Sequence, residues 1–154
     1  MPKAKIVEAS EHEDLDTFYE IEKECFTIDA YSKRLLRFLL TSQSTICLKA
    51  VLQGQIIGFT IGDLRRFSGS WKSEVVTIDV LPRFRRMGIA TLLLETLEKK
   101  FQTQGCSNTT IHVRVGNKAA INLFHKLGYQ EKKKVSDYYA DEIDAFLMEI
   151  NYGV

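Results

Sequence analysis

"VLPRFRRMGIATLLLETLEKK", residues 80–100, decides how the rest of the chain is read. An apolar stretch ends at Val80-Leu81 and meets Pro82, which has no N–H to give to a ladder and so closes a strand. Arg85, Arg86 and Gly88 then stand directly before a long amphipathic segment, Ile89–Gln104, which Gly105 terminates. A helix N-terminus already carries roughly half a positive charge, and cations normally gather at the other end. Arginines placed here call for an anion. A strand–loop–helix turn also points free backbone N–H groups outward, the ordinary architecture of a phosphate site. Gly88 lets a backbone approach closely, Ala90 keeps the first turn slim, and Thr91 adds a hydroxyl donor. No G-K-[ST] follows and no G-x-G-x-x-G is present, so this is neither a P-loop nor a dinucleotide turn. A solvated basic loop before a surface helix is the plainer reading of the same residues.

Working outward, 154 residues with 45% hydrophobic and 27% charged side chains fit one soluble domain with a real core. A net charge of +1 gives no reason to expect a nucleic-acid or membrane partner. The first ten residues, MPKAKIVEAS, contain no apolar h-region and do not read as a signal peptide. No apolar run approaches the roughly 20 residues of a membrane span. Cys25, Cys47 and Cys106 are scattered in apolar contexts and read as reduced thiols, with no disulfide framework or metal site. A cytoplasmic protein is the expectation.

The pattern gives a short strand at Lys5–Ala9. Ser10 and Glu13 then stand at capping-box spacing before a helix ending near Cys25, with Leu15, Phe18, Ile21 and Cys25 at helical spacing. Ser32 can cap a helix over Lys33–Leu40. Thr45–Leu52 and Gln55–Leu64 form a hairpin about Gln53-Gly54. Arg65–Lys72 is expected as a loop, and Ser73–Val80 as a strand. After the helix Ile89–Gln104 come a strand at Thr109–Val115, a helix at Asn117–Leu127 with Gly128 past its end, and strands at Tyr129–Val135 and Ala145–Ile150. The order β-α-α-β-β-β-α-β-α-β-β implies a mixed α/β sheet with helices on both faces.

Within Thr110–Val115, Ile111, Val113 and Val115 share one face while Thr110, His112 and Arg114 share the other. A central strand covered on both sides is apolar on both faces. A His and an Arg on one face therefore point to a lined cleft, although a hydrogen-bonded structural histidine gives the same pattern. Asp79 interrupts an apolar strand. It sits at a bulge, faces solvent, or is hydrogen-bonded.

Arg85-Arg86-Met87-Gly88-Ile89-Ala90 resembles the R/Q-x-x-G-x-G/A signature of GNAT acetyltransferases. The resemblance covers nearly the whole chain: "IDVLPRFRRMGIATLLL", "IHVRVGNKAAINLFHKLGY" and "DYYADEIDAFLMEI" follow in the family's order and spacing. The third, with its double tyrosine, is similar to the Ard1/RimI branch, which acetylates protein N-termini. The resemblance implies a GNAT domain over 1–154, with a mostly antiparallel seven-stranded sheet flanked by about four helices. It implies acetyl-CoA as acyl donor. The backbone of Ile78, Asp79 and Val80 would pair with the pantetheine arm as an added strand. Amides from Arg86 through Met87, Gly88, Ile89 and Ala90 to Thr91, with the Arg85 turn, would hold the pyrophosphate. Asn117, also a natural helix N-cap, would sit beside the cofactor arm, and Phe124 would lie on the helix flanking the thioester.

An amine must lose a proton, attack the thioester and expel a thiolate. An α-amine has a pKa of about 7.7–8.0 and a lysine about 10.4, so neutralising them at pH 7 costs about 1 and about 4.6 kcal/mol. A modest base suffices for an N-terminus. The "xHVR" context implies His112 as that base, with Glu74 as a second candidate on the strand before the loop. Phe124 departs from the tyrosine that the RimI type often places there to protonate the thiolate. Tyr138, Tyr139, water, or unassisted departure are the alternatives, with Tyr139 taken as the candidate acid. Ala90 in place of the commoner glycine is a second departure.

The same resemblance assigns the substrate end to "CFTIDAYS", 25–32, and "SDYYAD", 136–141. Phe26, Ile28 and Tyr31 would line the pocket for the first side chain, with loop-anchoring core the other reading of Phe26 and Tyr31; Asp29 would hold the incoming ammonium or favour small termini, and Arg114, Tyr138 and Tyr139 would contact the peptide. Arg65-Arg66 and Lys132-Lys133-Lys134 are charge runs, solvated or else favouring acidic substrates or ribosome contact, and an auxiliary subunit is a further candidate partner. The expected partner is a protein or peptide N-terminus, and the expected state is a monomer or weak dimer. The rival readings are acetylation of a small amine or a lysine side chain, and a module that binds coenzyme A without turnover.

Overall fold

The sheet is built around one parallel contact in an otherwise antiparallel array. In the computed structural model, which describes residues 3–139 and 143–153, the strands are β1 (Lys5–Glu8), β2 (Thr45–Leu52), β3 (Gln55–Phe67), β4 (Ser70–Val80), β5 (Asn108–Arg114), β6 (Gln130–Val135) and β7 (Ala145–Asn151). Their spatial order is β1-β2-β3-β4-β5-β7-β6. Among the described residues, only β4 and β5 run parallel. The helices are α1 (Glu11–Cys25), α2 (Lys33–Thr41), α3 (Ile89–Gln104) and α4 (Lys118–Lys126), and a 3-10 turn covers Pro82–Phe84. The expected order and sheet type are found.

Caps mark the helices where the sequence placed them. Ser10 Oγ accepts from Glu13 N–H (3.4 Å), Ser32 Oγ from Leu35 N–H (3.1 Å), and Asn117 Oδ1 from Ala120 N–H (3.1 Å). The return bond to Ser10 N–H is supplied by Asp14 Oδ2 (2.9 Å), one position beyond the capping-box glutamate. That choice follows from a second partner, because Lys49 Nζ binds both Asp14 oxygens (2.9 and 3.0 Å) in a buried ion pair.

The expected loop at Arg65–Lys72 is instead the tip of a hairpin. β3 runs on to Phe67 and β4 begins at Ser70, joined by Ser68-Gly69 with φ of 51° and 80°, the two positive values of a type I′ turn. Both arms are solvated there, so no buried face imposes the alternation that reveals a strand.

The core lies on both faces of the sheet. α3 buries Leu93, Leu94, Leu97 and Phe101 with Val75, Ile111, Val113 and Met148. α1 and α2 bury Phe18, Ile21, Leu36 and Leu39 against Phe59 and Ile61, with the Phe18 and Phe59 rings stacked at 4.0 Å. Each such side chain contributes roughly 1.5–3 kcal/mol on burial.

Two irregularities in β4 open the sheet. Ile61 pairs with Thr77 but Gly62 pairs with Val75, which leaves Val76 as an extra residue, a β-bulge. Among the described residues, the β4–β5 ladder joins only Ser73–Val75 to Thr109–Ile111. Beyond it the two strands run on without pairing. Thr77–Val80 keep β3 on one side and present a bare edge on the other.

Candidate active site

The bare edge leads into the strand–loop–helix stretch of residues 80–100. Val80 is followed by Leu81 and the 3-10 turn, held by Phe84 N–H to Leu81 O (2.9 Å). Arg86 and Gly88 both take positive φ, 62° and 79°. Gly88 is the N-cap of α3 and has no side chain to offer. The first intrahelical bond runs from Leu92 N–H to Gly88 O (3.0 Å), so the amides of Ile89, Ala90 and Thr91 precede the ladder. Space around Gly88 is open, and its need for glycine comes from φ alone. Arg86 and Met87 are exposed. Arg85 is folded back, donating from Nε to Val80 O (3.0 Å), and so ties the loop to the strand. The bare edge, the uncapped helix start and the open Gly88 fit an extended carrier that ends in a pyrophosphate.

Across the opening, β5 presents the polar face read from its alternation, with Ile111 and Val113 buried on the α3 side and His112 and Arg114 half-buried on the other. His112 Nδ1 lies 3.1 Å from Glu74 Oε2. The His112 ring stacks on Tyr138 at 4.3 Å between centroids. Arg114 donates to Asp29 Oδ2 from Nε (2.9 Å) and Nη2 (2.5 Å), and its guanidinium lies 4.6 Å from the Tyr139 ring centre. Tyr138 and Tyr139 meet edge to face at 5.0 Å. The structure thus brings both base candidates and four of the substrate-side residues into one cluster. Burial, then the charge of Glu74, holds the Tyr138 hydroxyl above its usual range. Burial, then the neighbouring Tyr138, pushes Tyr139 up to about 12.

Other candidates sit differently. Phe124 is 2% exposed and packs edge to face on Tyr129, so its ring has almost no surface for a ligand. Asp29 is engaged by Arg114 before any ammonium arrives. Asn117 caps α4 and is exposed. Phe26 is half-buried at the end of α1, while Ile28 is 66% exposed. The Tyr31 hydroxyl donates to the Val76 carbonyl (3.2 Å), anchoring the 26–31 loop on the bulge. Ala140 and Asp141 of the 136–141 stretch lie outside the described residues. Among the described residues no group of three His, Cys, Asp or Glu could hold a metal ion, and no helix is long and apolar enough to cross a membrane.

Asp79 is buried and hydrogen-bonded, accepting from Thr77 Oγ1 (2.7 Å). Its neighbour Glu22 was not singled out from the sequence. The signal was there, since Leu15, Phe18, Glu22 and Cys25 fall on one helical stripe and an acid on that stripe must be buried.

Comparison with known proteins agrees with this geometry. The model of the acetyltransferase (GNAT) family matches residues 15–129. An uncharacterized N-acetyltransferase of Methanocaldococcus jannaschii is 30% identical over 144 residues, covering 93% of this chain and 89% of that one. N-alpha-acetyltransferase 20 of Dictyostelium discoideum is 29% identical over 137 residues, 88% of this chain and 79% of that one. The crystal structure of Ard1 from Thermoplasma volcanium superposes with a TM-score of 0.87 at 24% identity, covering 99% of each chain. The strand–loop–helix turn at residues 80–100 is therefore the signature of a family, and the chain belongs to the GNAT acetyltransferases.

Proposed function

We propose that this enzyme moves the acetyl group of acetyl-CoA onto the α-amino group of protein or peptide N-termini, by direct attack of the amine. The observation that carries the reading is the Glu74–His112 pair, set on two strands that part beside it and covered by the Tyr138-Tyr139 loop. Bound acetyl-CoA supplies an activated acetyl thioester. Ile78, Asp79 and Val80 would hold its arm through their backbone, and the Arg86–Thr91 amides its pyrophosphate.

Glu74, accepting from Nδ1–H of His112, fixes the tautomer that leaves Nε2 with its lone pair. Nε2 then takes the proton of the incoming α-ammonium, directly or through one water. Arg114 and Asp29 hold the 26–31 loop against β5, and the two tyrosines close the other wall. Tyr139 is a poor proton source for the departing thiolate. A hydroxyl at about 12 would donate to a thiolate near 8.5 at a cost of about 5 kcal/mol. We assign Tyr139 to holding the peptide and leave the thiolate to solvent.

The relative named N-alpha-acetyltransferase supports the substrate class. We further read the 154 residues as a single acetyltransferase domain of the cytoplasm, monomeric or weakly dimeric, with any ribosome or auxiliary-subunit contact made outside the cleft. The test uses acetyl-CoA, short peptides varied at the first two residues, spermine, and a blocked peptide with a free lysine, followed by thiol release. Turnover on free N-termini alone is expected. Turnover only on spermine or the blocked peptide overturns the reading, and coenzyme A binding without turnover points to a binding module.

A further inference from the structure

Glu22 on α1 and Asp79 on β4 are each 1% exposed, and each carboxyl group acts on the other. One oxygen of each is satisfied: Glu22 Oε2 accepts from Tyr31 N–H (3.0 Å) and Asp79 Oδ1 from Thr77 Oγ1 (2.7 Å). The other two, Glu22 Oε1 and Asp79 Oδ2, are buried and meet no donor. Two ionised carboxylates cannot bond to each other, because both only accept. A buried charge left without a partner is strongly destabilising, and a like charge beside it disfavours ionisation of both acids.

Among the described residues no other group offers these oxygens a donor. Arg85 bears on Asp79 by charge, but its Nε is committed to Val80 O, and among the described residues it makes no hydrogen bond to either acid. The Cys25 thiol, whose pKa burial and Asp79 push up to about 11, donates to Val80 O (3.4 Å). The Tyr31 hydroxyl, likewise raised by burial, donates to Val76 O.

We propose that Glu22 and Asp79 share one proton, and that this bridged pair is a positioning device, clamping the 26–31 loop to β4 just past its bulge. The pair joins the end of α1, the backbone of Tyr31 and the strand that carries the cofactor edge. The two carboxyl groups set the spacing between the substrates from behind, while the backbone of Asp79 faces the cofactor edge. Removing the proton leaves two facing charges and loosens the Tyr31 attachment.

The structural arms of the test need no assumption about substrate, while the kinetic arm rests on the peptide reading above. Infrared difference spectra at neutral pH should show a protonated carboxylic acid in the wild type that is lost in Glu22→Gln and in Asp79→Asn. Glu98, also a raised carboxyl, remains as a common background. Gln at position 22 can accept from Tyr31 and donate its amide N–H to Asp79, so it replaces the proton. Glu22→Leu cannot.

Amide exchange at residues 26–31 should therefore match wild type in Glu22→Gln and quicken in Glu22→Leu. With a peptide substrate, Glu22→Leu should show a KM roughly tenfold above that of Glu22→Gln, the ratio expected for one unpaired buried acid. Relative to Glu22→Gln at the same pH, which removes the base catalysis common to all amides, exchange in wild type should quicken at alkaline pH, and should do so equally in Cys25→Ser, which removes the neighbouring thiol. Absence of the acid band in wild type overturns the shared proton. Equal exchange in the Gln and Leu variants overturns the positioning role. Failure of every peptide to turn over would overturn only the substrate reading, since both structural arms still decide.

Discussion

His112 Nδ1 and Glu74 Oε2 lie 3.1 Å apart, on strands whose shared ladder has three residues on each side. Each side chain is held by its own strand, so the pair survives only while β4 and β5 keep their relative position. The histidine carries the proton transfer in the proposed mechanism, and the glutamate orients it. His112→Ala should lower kcat/KM by about 10²–10⁴ with coenzyme A affinity retained. Glu74→Ala should lose less, because the ring stays stacked on Tyr138. Equal activity of His112→Ala and wild type would remove the histidine from the chemistry.

Asp29 and Arg114 form a half-buried pair that ties the 26–31 loop to β5. A double-mutant cycle with Asp29→Asn and Arg114→Gln, read by chemical denaturation, should give a coupling of about 1 kcal/mol, the upper range for partly exposed pairs. The single variants should raise the peptide KM and leave that for acetyl-CoA largely alone. Coupling near zero would mean that the loop is held by Tyr31 alone.

Two glycines should fail in opposite ways. Gly88 needs its positive φ but has open space around it. Gly88→Ala should cost about 1 kcal/mol of stability and raise the KM for acetyl-CoA. Gly62 has ordinary φ, but a Cβ there would overlap the Phe101 ring and come 2.9 Å from Leu97 Cδ1. Gly62→Ala should cost about 1–3 kcal/mol with little change in that KM. Melting curves and initial rates on both variants test the contrast.

Glu98, on the inward face of α3, is buried, accepts from the Tyr129 hydroxyl (2.7 Å), and is held above the usual carboxylate range by burial. The folded chain keeps this proton to higher pH than the unfolded chain does. Its stabilising contribution is full below the ordinary glutamate value of about 4.3 and is lost as pH rises through the folded value. Glu98→Gln does not titrate. Its stability relative to wild type should therefore rise between about pH 4 and pH 7, read as the denaturant midpoint of each protein across that range. Parallel curves would place the raised carboxyl elsewhere.

Much of this was legible because it is local. The bounds of α3 follow from Gly88 and Gly105, and the polar face of β5 from strict alternation. The hairpin at Ser68-Gly69 was missed because its arms are wet on both sides. The Asp14 bond to Ser10 was missed because Lys49, 35 residues away, recruits that acid. Phe124 matches the family position in sequence, yet its ring is drawn inward by Tyr129. Asp29–Arg114 and Glu22–Asp79 join residues far apart in the chain, and only the assembled sheet sets them face to face.

The Val76 bulge has a consequence of parity. Glu74 and Asp79 have numbers of opposite parity, and in an uninterrupted strand they would point to opposite faces. Here both stand on the face that carries α1, one toward His112 and the other toward Glu22. Val75 before the extra residue and Ile78 and Val80 after it all turn to the α3 side. One inserted residue thus lets a single strand be odd for packing in its first half and even in its second. Removing it would force a choice between the acid that faces the histidine and the acid that clamps the loop.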